Sequence, residues 1–164
     1  YWGDALWGGI YRSGPTVFYY FAAWVDPFER MVREQVAGRL RVRKSTMEDL
    51  LDLDTLRGGL MGLTDDARPS QIVPILAPLS PRTLLMARML DLGPQINEWL
   101  DRYVDEWRFV KPHFTGDDLR RAGLPPGPVY AKILDKLLMA RLDGLVTSQD
   151  EECQLFESLV ADAA

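Results

Sequence analysis

Apolar residues recur at three- and four-residue spacing along most of the chain, the pattern of helices that bury one face. The clearest examples run from Ile96 to Trp107 and from Tyr130 to Leu142. No two segments alternate apolar and polar residues for long enough to pair as strands. The pattern therefore predicts an all-α fold, a multi-helix array of about seven to nine short helices.

Helix boundaries are predicted from residues that cap helices or stop them. Short polar side chains before apolar stripes give the candidate N-caps Asp26, Ser45, Ser80, Thr115 and Ser148. Ser45 and Ser148 also begin S-x-x-E capping boxes. Proline at a first helical turn is favourable, so Pro94 and Pro128 are predicted to open two further helices. Helix ends are predicted at or near Gly38, Gly58–Gly62, Gly93, Gly123 and Gly144.

Composition limits the possible functions. A chain of 164 residues fits one domain or two small ones. A net charge of −5 is unusual for a nucleic-acid binder, so such a role would need a local positive patch. The single cysteine, Cys153, and single histidine, His113, exclude an intrachain disulfide and a Cys/His zinc site. We expect His113 to be a surface residue or a helix cap.

The longest apolar run, Thr16 to Val25, is far shorter than the ~20 residues that span a bilayer. We therefore expect a cytoplasmic protein with no membrane partner. The chain does not begin with methionine, which we interpret as a fragment of a longer protein.

A basic cluster follows the second predicted helix. Residues 39–44 carry four positive charges and no acid, on Arg39, Arg41, Arg43 and Lys44. An exposed loop is predicted here. It could contact RNA phosphates and release their counterions, remain merely solvated, or dock another domain.

The segment from His113 to Glu152 carries a specific chain of motifs. These are T-G-x-D-L at Thr115, Gly116, Asp117, Asp118 and Leu119, G-L-P-P-G-P at residues 123–128, Asp143-Gly144, and the acidic run Asp150 to Glu152. They resemble the C-terminal tail of bacterial class II tRNA nucleotidyltransferases (CCA-adding enzymes) and poly(A) polymerases. A weaker resemblance runs from Arg68 to Pro81 and through the connector Trp107–Pro112.

The resemblance implies a C-terminal portion without the catalytic head. It divides the chain into a helical body-like domain, 1–110, and a helical tail-like subdomain, 111–164. The head would carry a Gly-Ser pair and a D-x-D motif, and would use Mg²⁺ and nucleoside triphosphates. We therefore expect no catalytic, cofactor-binding or metal-binding residues here, and no cofactor in this fragment. Asp52-Leu53-Asp54 spells D-x-D, but it lies in a predicted helix and should form an exposed face.

By the same resemblance, the fragment would hold tRNA or another RNA 3′ end through its shape and backbone. Its partners would be that RNA, the N-terminal head and neck of the same chain, and a second copy in a homodimer. Besides the basic cluster, the candidate RNA-binding residues are Lys111, Arg120, Arg121, Lys132, Lys136 and Arg141. The alternative is that these cations are scattered, and some pair with Asp117, Asp118 or Asp135.

The motif residues have two interpretations. In the first, they shape a helix–turn–helix corner; these residues are Thr115, Gly116, Asp117, Gly123, Pro126, Gly127, Pro128 and Gly144. Alternatively, the N-terminus of the helix beginning at Pro128 would bind an RNA phosphate.

Two other functions remain open. A structural or oligomerisation module would suit the acidic total and the aromatic N-terminus. Those aromatic residues should lie mostly in the core, or else form an apolar face: Trp2, Trp7, Tyr11, Phe18, Tyr19, Tyr20, Phe21 and Trp24. A helix–turn–helix DNA binder is the weaker alternative, because the second helix offers few side chains that read base edges.

Overall fold

The structure is a computed structural model that describes Trp7 and residues 16–163. Within these residues there is no strand, so the predicted all-α class is confirmed. The described helices are α1 (Thr16–Val25), α2 (Arg30–Arg39), α3 (Lys44–Met61), α4 (Pro69–Leu76), α5 (Pro81–Met89), α6 (Pro94–Asp105), a 3₁₀ turn (Trp107–Phe109), α7 (Gly116–Arg121), α8 (Pro128–Leu142) and α9 (Gln149–Ala161). No described helix is long and apolar enough to cross a membrane.

Most predicted helix starts are confirmed. The Ser80 Oγ accepts a hydrogen bond from the Thr83 N–H at 3.1 Å, and Pro81 occupies the first turn of α5. The Ser148 Oγ accepts from the Glu151 N–H at 3.2 Å and caps α9. Thr115 precedes α7, and both its N–H and its hydroxyl donate to the Asp118 carboxylate. Pro94 and Pro128 begin α6 and α8.

Two predicted N-caps are wrong, because one residue lies in the last turn of the preceding helix and the other lies inside its own helix. The Asp26 N–H bonds to the Ala22 carbonyl oxygen, so Asp26 completes the last turn of α1, and α2 begins only at Arg30. Ser45 is the second residue of α3, which begins one residue earlier, after Arg43. The predicted capping box there does not form.

The predicted end of α2 is also displaced. The helix continues through Gly38 to Arg39, and Arg41 takes the left-handed conformation, with φ 52°. The end predicted at Gly93 is displaced too. Helix α5 ends at Met89, and Asp91, two residues before Gly93, takes the left-handed conformation with φ 50°. The other three predicted ends are confirmed: α3 ends at Met61, before Gly62, and Gly123 and Gly144 follow the ends of α7 and α8.

The chain forms two compact units. The first unit comprises Tyr1–Ala67 and Pro74–Asp105, and the second comprises Arg68–Val73 and Glu106–Ala164. The sequence-based domain bounds, 1–110 and 111–164, stay a prediction.

The first unit is built on α1, α3, α5 and α6, which contribute the buried residues Ala22, Leu53, Leu56, Leu85 and Leu100. Its aromatic residues divide between core and surface. Trp7, Phe18 and Tyr19 are buried, as predicted, whereas Tyr20 and Trp24 are exposed. Phe21 is half-buried, and Trp2 and Tyr11 lie outside the described residues.

A buried carboxylate joins α3 to the start of α5 in this unit. The Asp49 Oδ1 accepts hydrogen bonds from the Ser80 hydroxyl at 2.7 Å and from the Thr83 hydroxyl at 3.2 Å. An Arg82 guanidinium nitrogen lies 2.7 Å from the other oxygen, Oδ2. The two hydroxyl donors and the nearby guanidinium charge offset the cost of burying the carboxylate, so the cap of α5 also fixes its position on α3.

In the second unit, Gly123 ends α7 in a left-handed turn with φ 89°. The Gly123 N–H bonds to the Arg120 carbonyl, and the Leu124 N–H bonds to the Leu119 carbonyl. Gly144, with φ 68°, ends α8 in a similar way. Gly127 has φ 176°, an extended conformation open to any residue, so the corner does not require glycine there.

Gly123 and Gly127 therefore allow a matched test of the corner. We expect Gly123→Ala to lower the free energy of unfolding by about 1–2 kcal/mol, because alanine must adopt positive φ. Gly127→Ala should change it by less than about 0.5 kcal/mol. Urea denaturation of both variants measures the difference, and equal effects would contradict this account of the corner.

Candidate nucleic-acid interface

The second unit packs α7, α8 and α9 around one apolar cluster. Its buried members are Leu119, Leu124, Ile133, Leu137, Phe156 and Leu159. Phe114 stacks on Phe156 with ring centroids 4.2 Å apart. The Tyr130 hydroxyl donates to the Leu124 carbonyl oxygen at 2.8 Å, which ties the first turn of α8 to the G-L-P-P-G-P segment. The motif thus holds the corner between α7 and α8.

A buried ion pair crosses this unit. Glu152 in α9 is fully buried, and its Oε2 lies 2.6 Å from an Arg141 guanidinium nitrogen in α8. Its Oε1 accepts the His113 backbone N–H at 2.8 Å. Arg141 is therefore committed to an internal carboxylate, and it is the least available of the candidate RNA-binding residues. The side chain of His113 is exposed, which confirms its predicted surface location.

The aspartate of the Asp143-Gly144 motif also has a structural partner. The Asp143 Oδ1 accepts the Ser70 N–H at 2.9 Å, and its Oδ2 accepts the Ser70 hydroxyl at 2.7 Å. Ser70 lies in the first turn of α4, so Asp143 satisfies a helix-end donor. Two segments that carry the family resemblance, 73 residues apart, are thereby joined.

Three other candidate cations form exposed ion pairs with near neighbours. Arg120 lies 3.1 Å from Asp117, Arg121 lies 3.0 Å from Asp118, and Lys44 lies 3.4 Å from Glu48. Exposed pairs of this kind contribute only about 0–1 kcal/mol, so a phosphate could displace the carboxylates at little cost. Each of these pairs has no net charge, so the three positions contribute less positive potential than unpaired cations would.

The other six candidate cations are exposed, and no carboxylate in the described part of the chain pairs with them. They are Arg39, Arg41, Arg43, Lys111, Lys132 and Lys136. Lys132 and Lys136 are one turn apart on α8, so they lie on one face of that helix. The first three belong to the first unit, and the last three belong to the second.

The basic cluster spans the turn between α2 and α3, but Arg39 is the last residue of α2 and Lys44 is the first of α3, so the predicted loop is confirmed only for residues 40–43. The Val42 N–H bonds to the Ala37 carbonyl, and the Arg41 N–H bonds to the Gly38 carbonyl, which closes the end of α2. Arg41 occupies the left-handed position that glycine adopts most easily. A non-glycine residue there costs about 1–2 kcal/mol. The predicted exposure of this segment is confirmed for its four cations.

The D-x-D sequence has a local structural role. Asp54 accepts two hydrogen bonds from the Arg33 guanidinium, at 2.9 and 2.8 Å, and both Asp52 and Asp54 are half-buried in α3. The prediction of an exposed face is therefore wrong, because both aspartates are half-buried and Arg33 binds Asp54. Among the described residues, no group of histidine, cysteine and acidic side chains could hold a metal ion.

Two carboxylates at helix starts have lowered pKa values. Hydrogen bonds from the Thr115 hydroxyl and then from its N–H lower the pKa of Asp118. The pKa of Glu151 is lowered first by the Thr147 N–H and then by the Ser148 N–H. Both groups accept helix-end donors, so they act in the fold rather than in acid–base chemistry.

An aromatic residue in the connector was missing from the candidate set. Phe109 is 58% exposed, and the Arg108 guanidinium carbon lies 4.5 Å from its ring centroid. The available sequence signal was an aromatic residue between two basic ones, at Arg108, Phe109 and Lys111. Helical periodicity could not reveal its exposure, because the segment is a short 3₁₀ turn followed by extended chain.

The chain is similar to the A-adding tRNA nucleotidyltransferase of Geobacter sulfurreducens. The two share 38% identity over 100 residues, which make up 61% of this chain and 11% of that protein. This similarity supports the tRNA nucleotidyltransferase family, a family of nucleotide-adding enzymes. No protein-family model matches the chain, and no solved structure matches it.

Arg141→Met tests the buried ion pair. We expect a loss of about 3 kcal/mol in the free energy of unfolding, because Glu152 would remain buried without its cation. Adding Glu152→Gln should restore most of the loss, because the amide oxygen can still accept the His113 N–H. Denaturation of the single and double variants measures this, and no recovery in the double variant would contradict the explanation.

The helix-start carboxylates predict the direction of a pH effect. A lowered folded-state pKa means that the stabilisation is present above the unfolded-state pKa and is lost as the pH falls through the folded value. We expect Thr115→Val to raise the pKa of Asp118, because the threonine hydroxyl is the largest cause of its shift. Thr147→Val should alter the pKa of Glu151 less, because there a backbone N–H is the largest cause. Carboxyl NMR titration compares the two variants, and equal shifts would contradict the assignment.

Proposed function

We propose that this chain is the C-terminal, non-catalytic portion of a cytoplasmic tRNA nucleotidyltransferase or poly(A) polymerase, and that it holds the RNA substrate. Nucleotide addition, with Mg²⁺ and nucleoside triphosphates, would belong to a catalytic head elsewhere in the parent protein. The observation that carries this proposal is the 38% identity over 100 residues to an A-adding tRNA nucleotidyltransferase.

The turn between α2 and α3 is the best-supported RNA contact in the first unit. Arg39, Arg41 and Arg43 are exposed and free of described carboxylate partners, and backbone hydrogen bonds fix the turn that carries them. Cations on a fixed turn lose less conformational freedom when they meet phosphates. Each phosphate they neutralise would release counterions.

In the second unit, Lys132 and Lys136 on α8 and Lys111 in the connector are the best-supported contacts. They are exposed and have no carboxylate partner among the described residues. Arg120 and Arg121 would contribute less, since Asp117 and Asp118 compete for them. We leave Arg141 outside the interface because Glu152 holds it.

Binding of this kind would recognise the backbone and shape of RNA rather than its sequence. The base edges of an RNA helix are poorly accessible, and lysine and arginine read mainly its phosphates. The chain's net charge of −5 would oppose a polyanion. Affinity would therefore depend on the local cations and decrease steeply with added salt.

A structural or oligomerisation role is the second candidate, and one observation favours it. Helices α1 and α2 leave large apolar side chains exposed: Val17, Tyr20, Trp24 and Met31, at 78, 73, 55 and 69%. Exposed apolar groups in this number are typical of surfaces that another protein surface covers. On this reading, a second copy or another domain of the parent protein would cover them.

The first proposal predicts a specific change in salt dependence. Arg41→Gln with Arg43→Gln should weaken tRNA binding and reduce the slope of log affinity against log salt by about two, one per phosphate contact removed. A filter-binding or fluorescence titration with tRNA at several salt concentrations measures both quantities.

Arg30→Gln with Arg102→Gln is the control for loss of charge alone, because it removes two charges from exposed positions of the same unit; Arg30 is paired with Glu34 at 3.0 Å. It should leave the slope unchanged. Equal effects of the two variants would indicate a general charge effect and would contradict the proposal that the turn contacts RNA. If the chain binds no RNA but dimerises with increasing concentration in sedimentation, the structural role replaces the first proposal.

A further inference from the structure

The connector between α6 and α7 presents an aromatic ring beside two cations. Trp107 is 6% exposed, whereas Phe109, two residues later, is 58% exposed. The Arg108 guanidinium carbon lies 4.5 Å from the Phe109 ring centroid. Lys111 is exposed, and no carboxylate in the described ranges pairs with it. Phe109 therefore contributes little to any core, and the part of its ring that Arg108 does not cover remains accessible.

Several contacts keep this ring on an ordered backbone. The Phe109 N–H donates to the Glu106 carbonyl, and the Val110 N–H donates to the Trp107 carbonyl, both at 3.1 Å. Lys111 precedes Pro112, which restricts its backbone to extended conformations. Just beyond, the His113 N–H is held by the buried Glu152 carboxylate. Binding at Phe109 would thus require little ordering of the chain.

This combination of groups fits a nucleotide better than other ligands. Unpaired bases stack on aromatic rings and on guanidinium planes, and the adjacent phosphates attract cations. A purely apolar partner would have to desolvate Arg108 and Lys111 on contact. An acidic peptide would satisfy the cations but would leave the Phe109 ring unused.

We propose that Phe109, with Arg108 and Lys111, forms a stacking site for an unpaired nucleobase of bound RNA. This inference rests on the proposed RNA-holding function and adds to it a recognition of single-stranded nucleotides. The base would stack on the face of the Phe109 ring that Arg108 leaves open, or on the outer face of the guanidinium that lies over the ring, and Lys111 would contact a neighbouring phosphate. Such a site distinguishes an unpaired segment from a continuous duplex, which phosphate contacts alone cannot do.

The test uses two RNA hairpins that differ only in their bases. Both carry the same short single-stranded 3′ tail, but one tail has abasic nucleotides and so keeps every phosphate. The intact chain should bind the tail with bases about 5- to 100-fold more tightly than the abasic tail. Phe109→Leu should abolish most of this difference, because leucine is apolar but has no π face. Phe109→Tyr should retain it.

Trp24→Leu is the matched control, since Trp24 is a 55% exposed aromatic residue of the first unit. It should leave the preference for bases unchanged, and thermal melting should show that Phe109→Leu folds normally. If the hairpins bind in a salt-sensitive manner but equally well, or if Phe109→Leu keeps the preference, the stacking site is refuted while the RNA-holding function survives. If neither hairpin binds at any salt concentration, both proposals fail.

Discussion

The carboxylate of Glu152 is completely buried, and the second unit depends on how its two oxygens are satisfied. Arg141 reaches one oxygen from α8, and the His113 backbone N–H reaches the other from the segment before α7. An unsatisfied buried carboxylate would cost several kcal/mol, so these contacts hold α8, α9 and the connector together. Asp49 has the same role in the first unit, where it fixes the start of α5 on α3.

These internal contacts divide the cations into two groups with different capabilities. Arg33, Arg82 and Arg141 satisfy partly or fully buried carboxylates and so belong to the fold. The exposed cations of residues 39–43 and of α8 pair with no carboxylate in the described structure. A protein with an acidic total can therefore still present local positive charge where several exposed cations lie together without carboxylate partners.

Sequence reasoning succeeded where the determining interactions are local. Ser80 and Ser148 cap helices through N–H groups three residues away, so a short motif contains all the required information. The predicted N-cap at Asp26 is wrong, because the Asp26 N–H bonds to a carbonyl of the preceding helix. In addition, Arg57, 31 residues later, binds its carboxylate. The candidate site shows the same limit. The sequence located the cations, but it could not show that Arg141 faces Glu152 or that Phe109 is exposed while Trp107 is buried.

At Arg41, thermal stability and positive charge make opposite demands on the residue, because its backbone is in the left-handed conformation. Glycine or asparagine would fit the end of α2 with less strain, yet either would discharge the centre of the turn. Laboratory evolution scored only by survival of heating would favour such replacements. It would thereby deplete the turn's positive potential while every helix remained in place.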